Sequence, residues 1–226
     1  MTSLQDQLDE ITANTRQLVQ AERLAVGERA VEELFASGIE DRILPVRAIA
    51  PTFALKDANG KIVRSADMFA LGSLVIKFFR GRWCPYCVTE LEAWRDLHAE
   101  VRKMGALLVA ISPQNRRHND FTIQQHGLPF PLLSDVDAQV AEQFGIAYTV
   151  SPAQRTYYES ILVNIPYVNS GASYKTGTEA SWRLPLPATF IVTQDGTIAF
   201  AEACADFRVR SEPADVLSAL ASVTKR

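Results

Sequence analysis

The chain has 226 residues, 47% of them apolar and 22% charged, which excludes a mostly disordered chain and allows one large domain or a domain with an arm. Its 23 basic and 26 acidic residues leave a net charge of −3. A nucleic-acid surface or an anionic-membrane binder needs a basic excess, and none is present.

Residues 3–36 read as helical. Leu4, Leu8, Ile11, Leu18 and Val19 recur near helical spacing, and Val31, Leu34 and Phe35 continue an apolar face. Gly27 is a candidate break and Ser37-Gly38 a stop, because glycine accepts the left-handed cap conformation. The arm, residues 1–45, carries no residue set with obvious chemistry. It is expected to cover one face of the domain or to pair with a second copy as a homodimer. Past Pro51 the pattern changes. Thr52 to Leu55 is a short strand, Asn59-Gly60 a hairpin turn and Lys61 to Val63 its return.

Leu74 to Phe79 (LVIKFF) is dense in strand formers and reads as a buried strand. From Pro85 to about Met104, Val88, Leu91, Trp94, Leu97 and Val101 fall three or four apart, the spacing of an amphipathic helix. Gly105 ends it and Ala106 to Ile111 is the next strand. Strand, helix, strand is a parallel crossover unit, so the fold class is α/β. Asn119 to His126 predicts a helix, Phe130 to Leu133 a strand and Ala138 to Phe144 a short helix. Residues 145–186 read as a long irregular insertion rich in Tyr, Ser, Gly and Pro. Ala188 to Val192 and Thr197 to Phe200 form a hairpin about Asp195-Gly196. Glu212-Pro213-Ala214-Asp215 opens a last helix, with acids and proline in its first turn.

The chain has three cysteines, too few for a disulfide scaffold. The opening MTSLQDQLDE lacks the basic start and apolar stretch of a secretory signal. The longest apolar runs, such as Ala106 to Ile111, reach about a third of the roughly 20 residues that cross a membrane. A cytoplasmic address follows as the expectation.

Trp83-Cys84-Pro85-Tyr86-Cys87 lies where the 74–79 strand gives way to the 85–104 helix. A helix start offers unpaired backbone N–H groups and the positive end of the dipole, both of which favour a thiolate. Such motifs lower the cysteine pKa from roughly 8.5 to roughly 3.5–7.5. The spacing brings the second sulfur within one helical turn, so a local disulfide can close. Pro85 suits the first turn, and Arg80 and Arg82 flank the site with positive charge. A zinc site would need two more ligands. Cys204, His98, His118 and His126 form no close pair, so redox chemistry is the stronger reading.

Phe78 to Cys87 (FFRGRWCPYC), followed by Glu90-Leu91, resembles the active-site segment of the alkyl hydroperoxide reductase/thiol-specific antioxidant family, the peroxiredoxin-like proteins. Ala50 to Leu55, Leu108 to Gln114, Leu132 to Asp135 and Pro187 to Val192 with Asp195-Gly196 are similar to further segments of that family, in order. The resemblance covers about residues 48–220. It implies a thioredoxin-like fold, a mixed central sheet flanked by helices, here with an N-terminal helical extension; residues 46–226 would form the domain around the 145–186 insertion. It also implies a thiol site without metal or organic cofactor. The family's Pro-x-x-x-Thr-x-x-Cys pattern places Cys84 at the threonine if Cys87 is its cysteine, and Gly81 there if Cys84 is. Pro187 stands where the family has an arginine, and is similar instead to the cis-proline facing the Cys-x-x-Cys of thioredoxins.

What the resemblance implies is a peroxidase acting on hydrogen peroxide or organic hydroperoxides, with a dithiol donor, a thioredoxin or glutathione system, as its partner. Cys84, first in the motif and expected to be the more exposed, would attack and Cys87 resolve. The reverse stays open, because Cys87 fits the peroxidatic register. Trp83 covers the thiols or fills the strand's end, and a cis Leu186–Pro187 bond would stand against Cys84. A thioredoxin-like protein disulfide oxidoreductase and a non-enzymatic redox sensor are the alternatives. Cys204, the three histidines and Arg155 read as structural. Tyr148, Tyr157, Tyr158, Tyr167 and Tyr174 read as an aromatic loop packed on the core, or the lining of a pocket beside the thiols.

Overall fold

The structure is a computed structural model and describes residues 2–224. Two helices, α1 (Leu4–Leu18) and α2 (Ala21–Ala36), precede β1 (Ala54–Asp57), β2 (Ile62–Arg64), α3 (Ser65–Phe69) and β3 (Leu74–Phe78). Then come α4 (Pro85–Lys103), β4 (Leu107–Ser112), α5 (Arg116–His126), β5 (Leu132–Ser134) and α6 (Gln139–Gln143). The chain continues through β6 (Ala147–Thr149), α7 (Pro152–Ser160), α8 (Ile165–Ser170) and β7 (Arg183–Pro185), and ends with β8 (Ala188–Val192), β9 (Ile198–Ala203) and α9 (Pro213–Thr224). Most expected boundaries lie within three residues of these.

The central sheet has seven strands in the order β2-β1-β5-β4-β3-β8-β9. β3 and β4 pair in parallel, from Leu74 opposite Leu107 to Phe78 opposite Ile111. β8 runs antiparallel to β3 and forms a hairpin with β9. This is the mixed sheet that the crossover unit and the late hairpin predict. β3 is buried along its whole length, and its alternation feeds two cores. Leu74, Ile76 and Phe78 join Phe144 and Phe190 on one face, with ring centroids 5.2 Å apart for Phe78–Phe144. Val75 joins Leu91, Trp94 and Leu108 on the other.

The arm belongs to the second core. Leu4 and Leu8 pack there with Val216 and Leu220 of α9. The Glu212 carboxylate accepts hydrogen bonds from the Leu4 and Gln5 backbone N–H groups at 3.1 and 2.7 Å, capping α1 from the far end of the sequence. Arg208 ties α2 down through Glu28, Nη1 to Oε1 at 2.6 Å. The helical run breaks at Val19-Gln20, and α2 passes through Gly27 without interruption. Strong helix formers on both sides of Gly27 carry the backbone across it. Leu8→Ala should remove about 2–5 kcal/mol of stability by leaving a cavity between α1 and the helices α4 and α9. A lowered urea midpoint checks this; an unchanged one contradicts the packing of the arm.

Residues 145–186 are not irregular. β6 and β7 pair antiparallel, with α7 and α8 between them, around a small core of Val150, Tyr158, Ile165, Trp182 and Leu184. Strands of three residues and helices of nine and six leave no periodicity to read. They are specified by their caps instead: Ser151 and Gln154 form a capping box, and the Asn164 side chain caps α8.

Candidate active site

β3 ends in the sheet's centre and the chain turns through Gly81 before α4 begins. Gly81 has φ 149°, and a Cβ there would stand 2.6 Å from the Trp83 indole nitrogen, so only glycine lets Trp83 fold back over the turn. Cys84 is the N-cap of α4 in an extended conformation, Pro85 starts the helix, and Cys87 lies inside the first turn. The Cys87 thiol donates to the Cys84 sulfur across 2.9 Å, and both cysteines are in the reduced form.

Burial pushes the Cys84 thiol up. The hydrogen bond from Cys87 and the Arg80 and Arg210 guanidiniums outweigh it and bring the thiol down to about 6. Cys87 moves the other way: burial, the hydrogen bond it gives to Cys84 and the Cys84 charge push it well above the ordinary thiol range. The pair therefore holds one thiolate and one thiol near neutral pH. The rate of Cys84 alkylation by iodoacetamide should rise with a midpoint near pH 6, since the anion forms above that value. Arg80→Met should shift the midpoint up by about one unit or more. A profile that does not move contradicts the charge assignment.

Arg80 is buried beside the thiols. Its Nη2 donates to the Tyr158 hydroxyl, and its guanidinium lies 4.8 Å from the Trp83 ring and 4.3 Å from that of Phe207. Trp83 meets Tyr158 edge-on at 5.2 Å. Arg82, the other flanking cation of the sequence, is turned away. Its Nε donates to His118 Nδ1 at 3.0 Å and its guanidinium lies 4.4 Å from Phe121, so His118 holds it off the site.

A buried ionic network backs Cys87. Lys77 of β3 donates to Glu90 and to Thr189 of β8. Arg210, from the segment between β9 and α9, donates from Nε to the other Glu90 oxygen at 2.8 Å, and its Nη2 lies 3.8 Å from the Cys87 sulfur. Burial works against the Glu90 carboxylate, but Lys77 and Arg210 hold its pKa below the usual carboxylate range. Sequence reasoning missed this network. Glu90 and Lys77 were in view without a role, and Arg210, 123 residues from Cys87, carries no local signal.

Two expectations need correcting. Cys84 is only 1% exposed, because the arm, Trp83 and the insertion cover the helix start. It is reached through a cavity of about 320 Å³ between α1, α2, α7 and the Cys84 turn. Tyr157 and Tyr158 line that cavity and Tyr148, Tyr167 and Tyr174 do not, so part of the aromatic insertion does face the thiols. The second correction concerns Pro187: no peptide bond is cis among the described residues. The Leu186 N–H donates to the Ile146 carbonyl at 2.7 Å, continuing the β6–β7 pairing into β8, and an extended trans chain serves that run. Pro187 lies beside Cys204 and Arg210. Among the described residues no group of three or more His, Cys, Asp or Glu side chains is placed to hold a metal.

A Cys-x-x-Cys at a helix start, beside a buried cation at the end of a central strand, defines a thioredoxin-fold dithiol protein. The AhpC/TSA family profile matches residues 46–201, and the chain belongs to that family. The match takes in the sheet and the insertion and begins after α2. The putative peroxiredoxin bcp of Haemophilus influenzae is 35% identical over 108 residues, covering 48% of this chain and 69% of that one. The chloroplastic peroxiredoxin Q of Triticum aestivum is 30% identical over 113 residues, 49% of this chain. The aligned part spans 52% of that plant protein's length. Among solved structures, peroxidoxin BcpB from Mycobacterium tuberculosis superposes with a TM-score of 0.60 at 21% identity, covering 80% of this chain and 98% of its own. Reduced Prx3 of Vibrio vulnificus, solved with hydrogen peroxide, gives a TM-score of 0.60 at 14% identity, covering 79% and 99%. At these identities the structures speak to the fold.

Proposed function

We propose that the protein is a thiol-dependent peroxidase in which Cys84 attacks and Cys87 resolves. The observation that carries the reading is the Cys84–Cys87 pair, 2.9 Å apart, with its lowered thiol at the cavity and its raised thiol inside. The Cys84 thiolate attacks the terminal oxygen of a hydroperoxide. An S–O bond forms as the O–O bond breaks, and the leaving alkoxide or hydroxide takes a proton from water. The buried Arg80 guanidinium beside the sulfur stabilises the charge that shifts onto oxygen. Cys87 then attacks the sulfenic sulfur, a disulfide forms and water leaves. A dithiol donor of the thioredoxin or glutathione type resets the pair by exchange. A cytoplasmic address, where such donors keep thiols reduced, belongs to the same proposal; no described helix is long and apolar enough to cross a membrane.

Burial favours this reading over that of a protein disulfide reductase. Both sulfurs are covered, and access through a cavity of about 320 Å³ suits a small molecule better than a protein strand. The test is turnover coupled to NADPH oxidation with hydroperoxides in one arm and insulin disulfide in the other. Peroxide consumption with no insulin reduction is expected. Insulin reduction without peroxide turnover contradicts the proposal.

A further inference from the structure

A disulfide between Cys84 and Cys87 would be as enclosed as the thiols that form it. Cys84 is 1% exposed and Cys87 is fully buried. Exchange requires an incoming thiolate to reach one of the two sulfurs. A protein dithiol carries its sulfur on the surface of a folded domain, and α1, α2, Trp83 and the 145–186 segment stand between that surface and Cys84. The approach is the cavity of about 320 Å³, at the lower end of the roughly 300–1,000 Å³ of small-molecule sites. Cys84 lines it and Cys87 does not, so an incoming thiol meets the Cys84 sulfur.

The charge on that approach is one-sided. Four arginines and a single carboxylate, Glu28, line it, in a chain whose net charge is −3. Arg208 is neutralised by Glu28 and Asp206, its Nη1 at 2.6 Å from the first and its Nη2 at 2.9 Å from the second. Arg80 is buried at the inner end beside Cys84. Arg16 of α1 and Arg23 of α2 are exposed and stand at the outer end. Arg16 lies 3.7 Å from Glu28, which Arg208 already holds. Arg23 forms no ion pair among the described residues. Exposed cations without full partners draw anions, and their field reaches about 8 Å at physiological salt.

We infer that the reductant of this site is a small acidic thiol of the glutathione kind, entering by the cavity, and that Arg16 and Arg23 select it by its carboxylates. The inference rests on the disulfide cycle of the peroxidase reading above and narrows its reductant to a small molecule. The thiolate of one such molecule attacks the Cys84 sulfur. A mixed disulfide forms there as the Cys84–Cys87 bond breaks, and the electron pair passes to the Cys87 sulfur, 3.8 Å from the Arg210 guanidinium. That sulfur takes a proton from water. The thiolate of a second molecule attacks the sulfur of the first, and Cys84 leaves as a thiolate, the form its surroundings favour. Two small thiols are oxidised to their disulfide and one cysteine pair is reduced. Arg16 and Arg23 lie outside residues 46–201, so the choice of reductant belongs to this chain's arm rather than to the family fold.

The test starts from the full chain oxidised to the Cys84–Cys87 disulfide with diamide. It is mixed with glutathione, neutral 2-mercaptoethanol, cationic cysteamine or reduced thioredoxin, quenched and alkylated, and the free Cys84 is counted by mass spectrometry. Arg16→Gln with Arg23→Gln should lower the glutathione rate by about fivefold, the combined worth of two exposed ion pairs. The mercaptoethanol rate should not change, and the cysteamine rate should stay level or rise. Arg16→Lys with Arg23→Lys keeps both charges and should keep the glutathione rate. Thioredoxin at the same concentration should act no faster than glutathione. A glutathione rate unchanged in the glutamine variant, an equal fall with the neutral thiol, or faster reduction by thioredoxin overturns the inference. The peroxidase reading fails separately, if hydroperoxide does not oxidise the reduced chain.

Discussion

Glu90→Gln should destabilise the protein by about 3–5 kcal/mol, because it leaves two buried cations facing a neutral amide. Lys77 and Glu90 are each 1% exposed and Arg210 is 8% exposed. The Glu90 carboxylate, rather than water, is the counter-charge that both cations face. A domain of ordinary stability has roughly 5–15 kcal/mol in total, so the variant should lose a large share of it. The double variant Lys77→Met with Glu90→Leu removes the pair together. It should be less damaging than the two single changes summed, because Lys77 is no longer left as a buried charge without its carboxylate and only Arg210 loses a partner. Urea unfolding of the single and double variants measures both effects. The network also sets an acid limit. Glu90 is held below its ordinary pKa, so its contribution is present above the usual carboxylate range and is lost as pH falls through the lowered folded value. A Glu90→Gln midpoint equal to that of the wild type would contradict the ionic reading of the network.

Cys84→Ser should abolish peroxide turnover, and Cys87→Ser should permit one reaction per chain and no more. The first variant removes the only thiol that the site draws into the thiolate range near neutral pH. The second keeps the cavity-facing sulfur but loses the hydrogen bond from Cys87 that lowers it, so its single reaction should also be slower below neutral pH. A count of peroxide consumed per chain separates the two, with about zero for Cys84→Ser and about one for Cys87→Ser in the absence of donor. Continued turnover of Cys84→Ser with a dithiol donor would reverse the assignment of roles.

The parts of this account that were legible in the sequence are those whose causes are local. LVIKFF, the apolar spacing from Val88 to Val101 and the start at Cys84-Pro85 specify strand, turn and helix within thirty residues, and the structure follows them closely. The lowered thiol was legible for the same reason, since a helix start and a neighbouring arginine lie within the motif itself. Arg210 was not legible, because only the packing of the chain's last quarter against α4 brings it to Cys87. The exposure of Cys84 was misjudged because the arm and the insertion, both far away in sequence, close over it. Pro187 was misjudged by analogy with thioredoxins; here the run from β7 into β8 is extended, and the β6 pairing sets its geometry. Gly27 was read as a helix break because glycine usually weakens a helix. Its place in the cavity wall is visible only once α2 and α7 are brought together.

The measurement that bears most directly on the central claim is the site of the first oxidation. Cys84→Ser and Cys87→Ser proteins are each treated with one equivalent of hydroperoxide and dimedone, digested and examined by mass spectrometry. The account predicts a dimedone adduct on Cys84 in the Cys87→Ser protein and none on Cys87 in its counterpart, because the lowered thiol at the cavity is the nucleophile. An adduct on Cys87 in the Cys84→Ser protein, with Cys84 unmodified in the other, would contradict it.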